Sequence, residues 1–182
     1  MFFYESVVQQ AIKHHQKVCG DYVSCTRLKT GSYFGVFDGI GSGIYANIAA
    51  TECATRWSAM IEKGLSFSET CEKMAAGMHD ARTKAFPFMA FNCAKMTPKG
   101  HAQVFTYEAP KPIMVRNGVI HVIEPHYYTV GYEIIGESRA TFEPGDQLLL
   151  FSDEVSQAGL GNGYTFGWGE QGLSEYYKKT AS

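Results

Sequence analysis

Three aspartates in this chain stand where a strand-like run meets a turn. Asp38 closes the apolar run 32–37 and opens the loop Gly39-Ile40-Gly41-Ser42-Gly43. Asp153 follows Leu148-Leu149-Leu150-Phe151-Ser152, and Asp21 follows Cys19-Gly20 just before the run 22–28. An aspartate in such a place is commonly a turn former or a helix cap, and Asp-Gly alone is an ordinary turn dipeptide. Three that converge at one edge of a sheet sandwich suit a hard divalent ion, because Mg²⁺ and Mn²⁺ prefer oxygen ligands. The loop after Asp38 points the same way. Its glycines leave backbone carbonyls and N–H groups open to close approach. The helix expected to start at Ser42 aims free N–H groups and the positive end of its dipole at the same place. Such a loop holds a cation on Asp38 and a carbonyl, with an anion beside it.

The elements that must position these residues follow from periodicity. Alternation and β-branched or aromatic content predict strands over 2–9, 22–28, 32–37, 88–95, 103–108, 113–116, 119–123, 138–142 and 147–152. Asn117-Gly118 between two short apolar runs is a two-residue hairpin signal. A helix is expected over 42–63, where Ala50, Cys53, Ala54, Trp57 and Ile61 recur at spacings of three and four. That stripe reads as core. A second helix over 68–82 places Cys71, Ala75 and Met78 on one face. Residues 158–169, rich in glycine and aromatics without periodicity, read as a surface loop. Strands flanking a helical pair, with hairpins in place of regular β-α alternation, indicate an α+β architecture of helix against antiparallel sheet.

At 182 residues and 45% hydrophobic content the chain can bury one substantial core, so a single domain over 1–182 is expected. The formal net charge of -2, without any Lys/Arg block, gives no phosphate-backbone footprint, and no nucleic-acid partner is expected. The five cysteines are scattered and form no C-x-x-C pair, which argues against a disulfide framework or a cysteine zinc site and fits a reducing cytoplasm. The start, MFFYESVVQQ, lacks the basic and sustained apolar regions of a leader, and no apolar run reaches the roughly 20 residues of a membrane helix.

Taken in order, Gly20-Asp21, then Phe37-Asp38-Gly39-Ile40-Gly41-Ser42-Gly43, then Gly145-Asp146 leading into Leu149-Leu150-Phe151-Ser152-Asp153 resemble the motifs of the metal-dependent protein phosphatases, the PPM or PP2C-like family. The branch they resemble is that of the stage II sporulation E phosphatase (SpoIIE) and the small stressosome phosphatases. The stretch VFTYEAPKPIMVR at 104–116 is similar to that branch's segment ending in Ala-Gly-His-x-Pro, and Phe166-Gly167 to its late Phe-Gly. The likeness runs from about Val7 to Leu173. It implies a four-layer α-β-β-α sandwich of the PP2C type, two mostly antiparallel sheets flanked by helices, with two Mn²⁺ or Mg²⁺ ions between the sheets. It also implies hydrolysis of phosphoserine or phosphothreonine by in-line attack of a metal-activated water, chemistry that needs no nucleophilic side chain. Carried over by position, Asp38 bridges both metals, Gly39 donates its carbonyl, Asp153 binds one metal, and Asp21 binds a metal or orients metal-bound water. The implied partner is a phosphorylated regulatory protein, of the anti-sigma-factor-antagonist or stressosome kind.

Three departures qualify this expectation. Ile40 stands where many relatives carry a histidine proposed as general acid, leaving protonation of the leaving oxygen to water. Glu154 replaces the glycine of a Ser-Asp-Gly motif and reads either as an added ligand or as a solvated carboxylate. The family's final Asp-Asp-x-Thr strand has no counterpart in Glu175-Tyr176-Tyr177-Lys178-Lys179-Thr180-Ala181-Ser182. Either the chain is shortened, one metal is held weakly with Glu154, Glu170 or Glu175 in substitution, or the domain no longer turns over. The last outcome makes it a catalytically weakened phosphatase-like binding or regulatory module. A dinucleotide-binding reading of Gly39-Ile40-Gly41-Ser42-Gly43 fares worse: its third glycine comes one position early, and Asp38 would face a pyrophosphate of like charge. His14, His15 and Lys17 lie near enough to Asp21 in sequence to meet a phosphate but read first as a polar face, and His121 and His126 read as surface. Cys19 and Cys25 read as inert.

Overall fold

Strand β2 (Gly31–Gly39) feeds two cores at once. Its odd positions Tyr33 and Phe37 belong to one buried cluster, while Phe34 packs against a second. The computed structural model describes residues 2–12, 15–84, 88–158, 167–169, 172–173 and 175–176. In it β1 (Asp21–Leu28), β2, β3 (Met89–Met96), β4 (His101–Tyr107), β8 (Glu133–Thr141) and β7 (His126–Val130) form a six-stranded sheet in the order β1-β2-β3-β4-β8-β7. A three-stranded sheet has the order β6-β5-β9, from β6 (Val119–Val122), β5 (Ile113–Arg116) and β9 (Gln147–Leu149). Every pairing is antiparallel.

Two helices, α1 (Gly43–Glu62) and α2 (Phe67–Thr83), cover one face of the large sheet. Ser66 caps α2 by accepting from the Glu69 N–H at 3.2 Å, one of the orphan donors of a helix start. Beneath the helices, Phe67 meets the rings of Tyr33, Trp57 and Phe105 at centroid distances of 5.8, 6.5 and 5.4 Å, all edge-on, the geometry aromatic quadrupoles favour. The second core, Met96, Ala102, Ile123 and Phe142, lies between the sheets, where Met114 and Leu148 of the small sheet close over it. The α+β sandwich of two antiparallel sheets expected from the sequence is therefore present. Among the described residues the helices that pack on a sheet all pack on the large one.

Several expectations are corrected. Residues 2–9 form no strand. The segment crosses from Pro98, whose carbonyl accepts from Phe2 N, to Asp21, but side chains make its other bonds: Tyr4 Oη to Thr97 O, Arg27 Nη2 to Tyr4 O and Gln10 Nε2 to Asp21 O. It is tied down by its own side chains and by Arg27, and it joins no ladder. The run expected over 147–152 stops as a strand at Leu149, β8 begins five residues earlier than expected, and β7 was not anticipated. The β7–β8 hairpin turns at Gly131-Tyr132 with Gly131 at φ 62°; its polar, poorly alternating strands carry little periodic signal. The surface loop expected over 158–169 lies mostly outside the described residues. No helix among the described residues is long and apolar enough to cross a membrane.

Phe67 sits at the hub of the helix-side core and is 4% exposed. Phe67→Ala is expected to destabilise the protein by about 3–5 kcal/mol, read as a lower urea midpoint at unchanged slope.

Candidate metal-binding cleft

The pairing register of β1 and β2 sets Asp21 directly opposite Asp38, followed along the ladder by Val23 opposite Val36 and Cys25 opposite Phe34. Phe34 belongs to the inter-sheet core, so by strand alternation both carboxylates face the gap between the sheets. Directly opposed residues on one face bring their Cβ atoms within about 4.5–5.5 Å, and like charges there repel. The repulsion appears in the acidity of Asp38, whose pKa is pushed up to about 7. Burial is the main cause, the charges of Asp21 and Asp153 add to it, and a side-chain hydrogen bond with Asp21 and the charge of Glu154 complete it. Asp38 in the metal-free protein therefore holds its proton to a higher pH than an ordinary aspartate.

Glycine brings the helix to this pair. A Cβ on Gly39 would lie 2.0 Å from the Ala46 carbonyl oxygen, and one on Gly20 would lie 3.2 Å from Ala46 Cβ. Only hydrogen at both positions lets α1 descend onto the strand ends. Asn47 Nδ2 then donates to Cys19 O at 2.9 Å and ties the turn before Asp21 to the helix. Gly41, Ser42 and Gly43 line the same cleft as Asp21 and Asp38, so the amino end of α1 adjoins the carboxylates. Ser42 is extended and makes no side-chain cap.

The third aspartate arrives from the small sheet. After β9 the chain turns through Ser152 into α3 (Asp153–Ser156), and Ser152 Oγ donates to Asp21 Oδ2 at 2.8 Å. Asp153 lies close enough for its charge to act on Asp38, yet its Oδ2 accepts from Gln157 Nε2 at 2.9 Å within its own turn. Glu154 lines the cleft and is exposed. The expected ligands are therefore neighbours without being a preformed cage: among the described residues no three His, Cys, Asp or Glu side chains gather closely enough to hold an ion.

Other candidates fall away from the pair. Asp146 forms a two-pronged ion pair with Arg116, at 3.0 Å from Nε and 2.5 Å from Nη2, and fastens the start of β9 to β5. Burial first, then the nearby carboxylates, raise the Cys19 thiol pKa and keep it protonated and inert. His15 and Lys17 are exposed, His121 and His126 are exposed on β6 and β7, and Cys25 is exposed on β1. Glu175 is exposed, while His14 and Glu170 lie outside the described residues. Sequence reading missed Ser152, Gln10 and Asn92 as partners of the site's backbone and side chains. Asn92 alone carried a signal, as an amide inside the otherwise apolar start of MAFNCAKM.

Two antiparallel sheets with helices on one of them and a carboxylate-lined cleft at the strand ends define an α+β sandwich. The chain belongs to the stage II sporulation protein E (SpoIIE) family, whose model matches residues 29–179. No curated protein sequence matches it. Among solved structures it is similar to the RsbU and RsbW domains of a Mycobacterium tuberculosis protein, at 18% identity and TM-score 0.71 over 92% of this chain and 46% of that one. It is similar also to the PP2C phosphatase domain and regulatory fragment of SpoIIE from Bacillus subtilis, at 15% identity and TM-score 0.72, covering 92% of this chain and 49% of that one. RsbX in complex with magnesium matches at 16% identity and TM-score 0.65, over 94% and 84% of the two chains. At these identities the likeness is one of fold, and the chain spans about half the length of the first two.

Two outcomes follow. A raised carboxylate pKa means the folded state binds more protons than the unfolded one between the ordinary aspartate range, 3.8, and about 7. Stability of the metal-free protein should therefore fall as pH rises through that window. In EDTA the melting temperature should drop between pH 5 and pH 8, and Asp38→Asn should flatten the profile and melt higher at pH 8. Gly39→Ala must push α1 off the strand ends and should lower the melting temperature by roughly 5 °C or more in the same assay.

Proposed function

We propose that the protein is a metal-dependent serine/threonine phosphatase acting on a phosphorylated regulatory protein. The observation that carries this reading is the Asp21–Asp38 pair, two carboxylates forced together across a ladder and answered by no Lys or Arg among the described residues that line the cleft. The donor set is all oxygen, which fits a hard ion such as Mn²⁺ or Mg²⁺. Asp38, Asp21, the Gly39 carbonyl and Asp153 would hold two such ions, with Glu154 as an added ligand. When bound, the ions lower the pKa of water and offset charge on phosphoryl oxygens.

The chain's own residues supply the rest. The first N–H groups of α1, beside Ser42 and Gly43, bind phosphate oxygens with the favourable end of the helix dipole. Ser152 orients Asp21 through its 2.8 Å hydrogen bond. Ile40 is 48% exposed on the same loop and offers no proton, so the leaving serine oxygen takes its proton from solvent. The cleft's rim favours a protein substrate over a small ester: Ile40 on the loop and Ile44, Tyr45 and Ile48 at the amino end of α1 are all exposed. Apolar side chains left in water beside a site mark a surface that a partner covers. The partner class is a phosphoserine or phosphothreonine protein, of the anti-sigma-antagonist or stressosome kind, in the cytoplasm that five free cysteines fit.

One observation favours a second reading, a catalytically weakened binding module: the third carboxylate is not drawn in with the pair. Turnover separates the two. With Mn²⁺ the protein should hydrolyse p-nitrophenyl phosphate and a phosphoserine peptide, EDTA should abolish both, and Asp38→Ala should lower kcat/KM by about 100-fold or more. Phosphopeptide binding without any turnover in folded protein would select the module.

A further inference from the structure

Strand β3 buries Ala90, Ala94 and Met96 on its inter-sheet face, and among them it buries an amide. Asn92 is 1% exposed. Its Nδ2 donates to Pro110 O at 2.9 Å and, less closely, to Phe151 O at 3.4 Å. Among the described residues its Oδ1 has no hydrogen-bond partner, and neither has Oγ1 of Thr106, the equally buried residue opposite it on β4.

A buried acceptor without a partner costs about 1–3 kcal/mol. A leucine of similar shape would remove that penalty, and Pro110 and Phe151 are themselves only partly buried. Stability therefore gives little reason for an amide here. Position gives one. One of the two carbonyls belongs to the turn that delivers Ser152, Asp153 and the cleft-lining Glu154. Pro110 lies in the turn after β4, which Arg82 fastens from the other side through Glu108. Phe151 comes immediately before Ser152, the donor to Asp21, and before Asp153. Asn92 itself is next on its face to Ala90, the register partner of Asp38. One side chain, rooted in the strand beside Asp38, thus reaches the turn that carries Asp153.

We propose that Asn92 is a positioning residue that sets the reach of Ser152 and Asp153 toward the Asp21–Asp38 pair, and thereby the affinity of the cleft for its ions. Its effect on metal rests on the metal-dependent reading above; its effect on the turn does not.

Asn92→Leu separates the two, with Thr106→Val as the control that removes the neighbouring orphan hydroxyl, which makes no hydrogen bond to either turn. In metal-free protein, hydrogen exchange at the amides of Val155 and Gln157, which bond to Ser152 O and Asp153 O, reports the turn. Asn92→Leu should speed that exchange by about tenfold or more, raise the Mn²⁺ Kd by about 10- to 100-fold, and leave the metal-free melting temperature within about 5 °C. Thr106→Val should change neither exchange nor Kd by more than about twofold. Unchanged exchange in Asn92→Leu overturns the inference, as does faster exchange spread evenly over both sheets with a collapsed melting temperature. Asn92→Ser, smaller and still polar, replaces the leucine variant should that fail to fold, with the same expectations. If unmodified protein binds no Mn²⁺ while exchange still rises at the turn alone, Asn92 holds its positioning role and the metal reading of the cleft falls.

Discussion

Two negative charges held face to face on neighbouring strands are the constraint around which the rest of this molecule is arranged. Asp21 and Asp38 are opposed by backbone register, so no rotamer change removes them from each other's field. A surface pair would be screened by water and salt, but this one is half-buried between two sheets, and burial first, then the neighbouring charges, push the Asp38 pKa up to about 7. Such a site is out of balance without positive charge. The amino end of α1 adjoins the pair, and the Ser152 hydroxyl donates to one of its members.

Holding the pair in place requires that a helix and a second sheet both reach the same strand end. The helix reaches it because Gly20, Gly39 and Ala46 leave no side-chain bulk at the crossing. The small sheet reaches it through the turn after β9, which Ser152 bonds to Asp21 and Asn92 bonds to β3. Arg116 and Asp146 fix the other end of β9 with paired hydrogen bonds, so that turn has one rigid side and one side steered by polar contacts. Asp153 consequently lies beside the pair without joining it, held by Gln157.

How much of this was legible in the residues depended on whether the information was periodic. The strands that became β1 to β6 and the two long helices show their burial in alternation or in spacings of three and four, and they lie within a few residues of where they were expected. Asp21, Asp38 and Gly39 stood out because a buried strand ending in a carboxylate and glycines is rarely needed for packing alone. The amino-terminal segment misled because Phe2 and Tyr4 do turn inward, stacking at 6.2 Å, while the Tyr4 carbonyl is claimed by the Arg27 side chain, which no local pattern reveals. β7 and the early start of β8 were missed because Gly136, Glu137 and Arg139 interrupt alternation. The bonds of Ser152 and Asn92 span 131 and 59 residues, and only tertiary folding brings such partners together.

Stability and function are divided between the faces of the same strands. On the helix side, Tyr33, Phe37, Met89, Phe91, Cys93, Phe105 and Tyr107 form a continuous buried cluster with α1 and α2. Between the sheets, the same strands present Asp38, Asn92 and Thr106 next to alanines and Met96, with two polar atoms left unpartnered. Polar groups there weaken packing that apolar residues would supply at no loss of shape, and their placement toward one end of β2, β3 and β4 coincides with the cleft. A sheet can carry such an imbalance because its other face supplies the cohesion. Period two lets one set of residues hold the fold while the other gathers charges that, by packing alone, would have been kept apart.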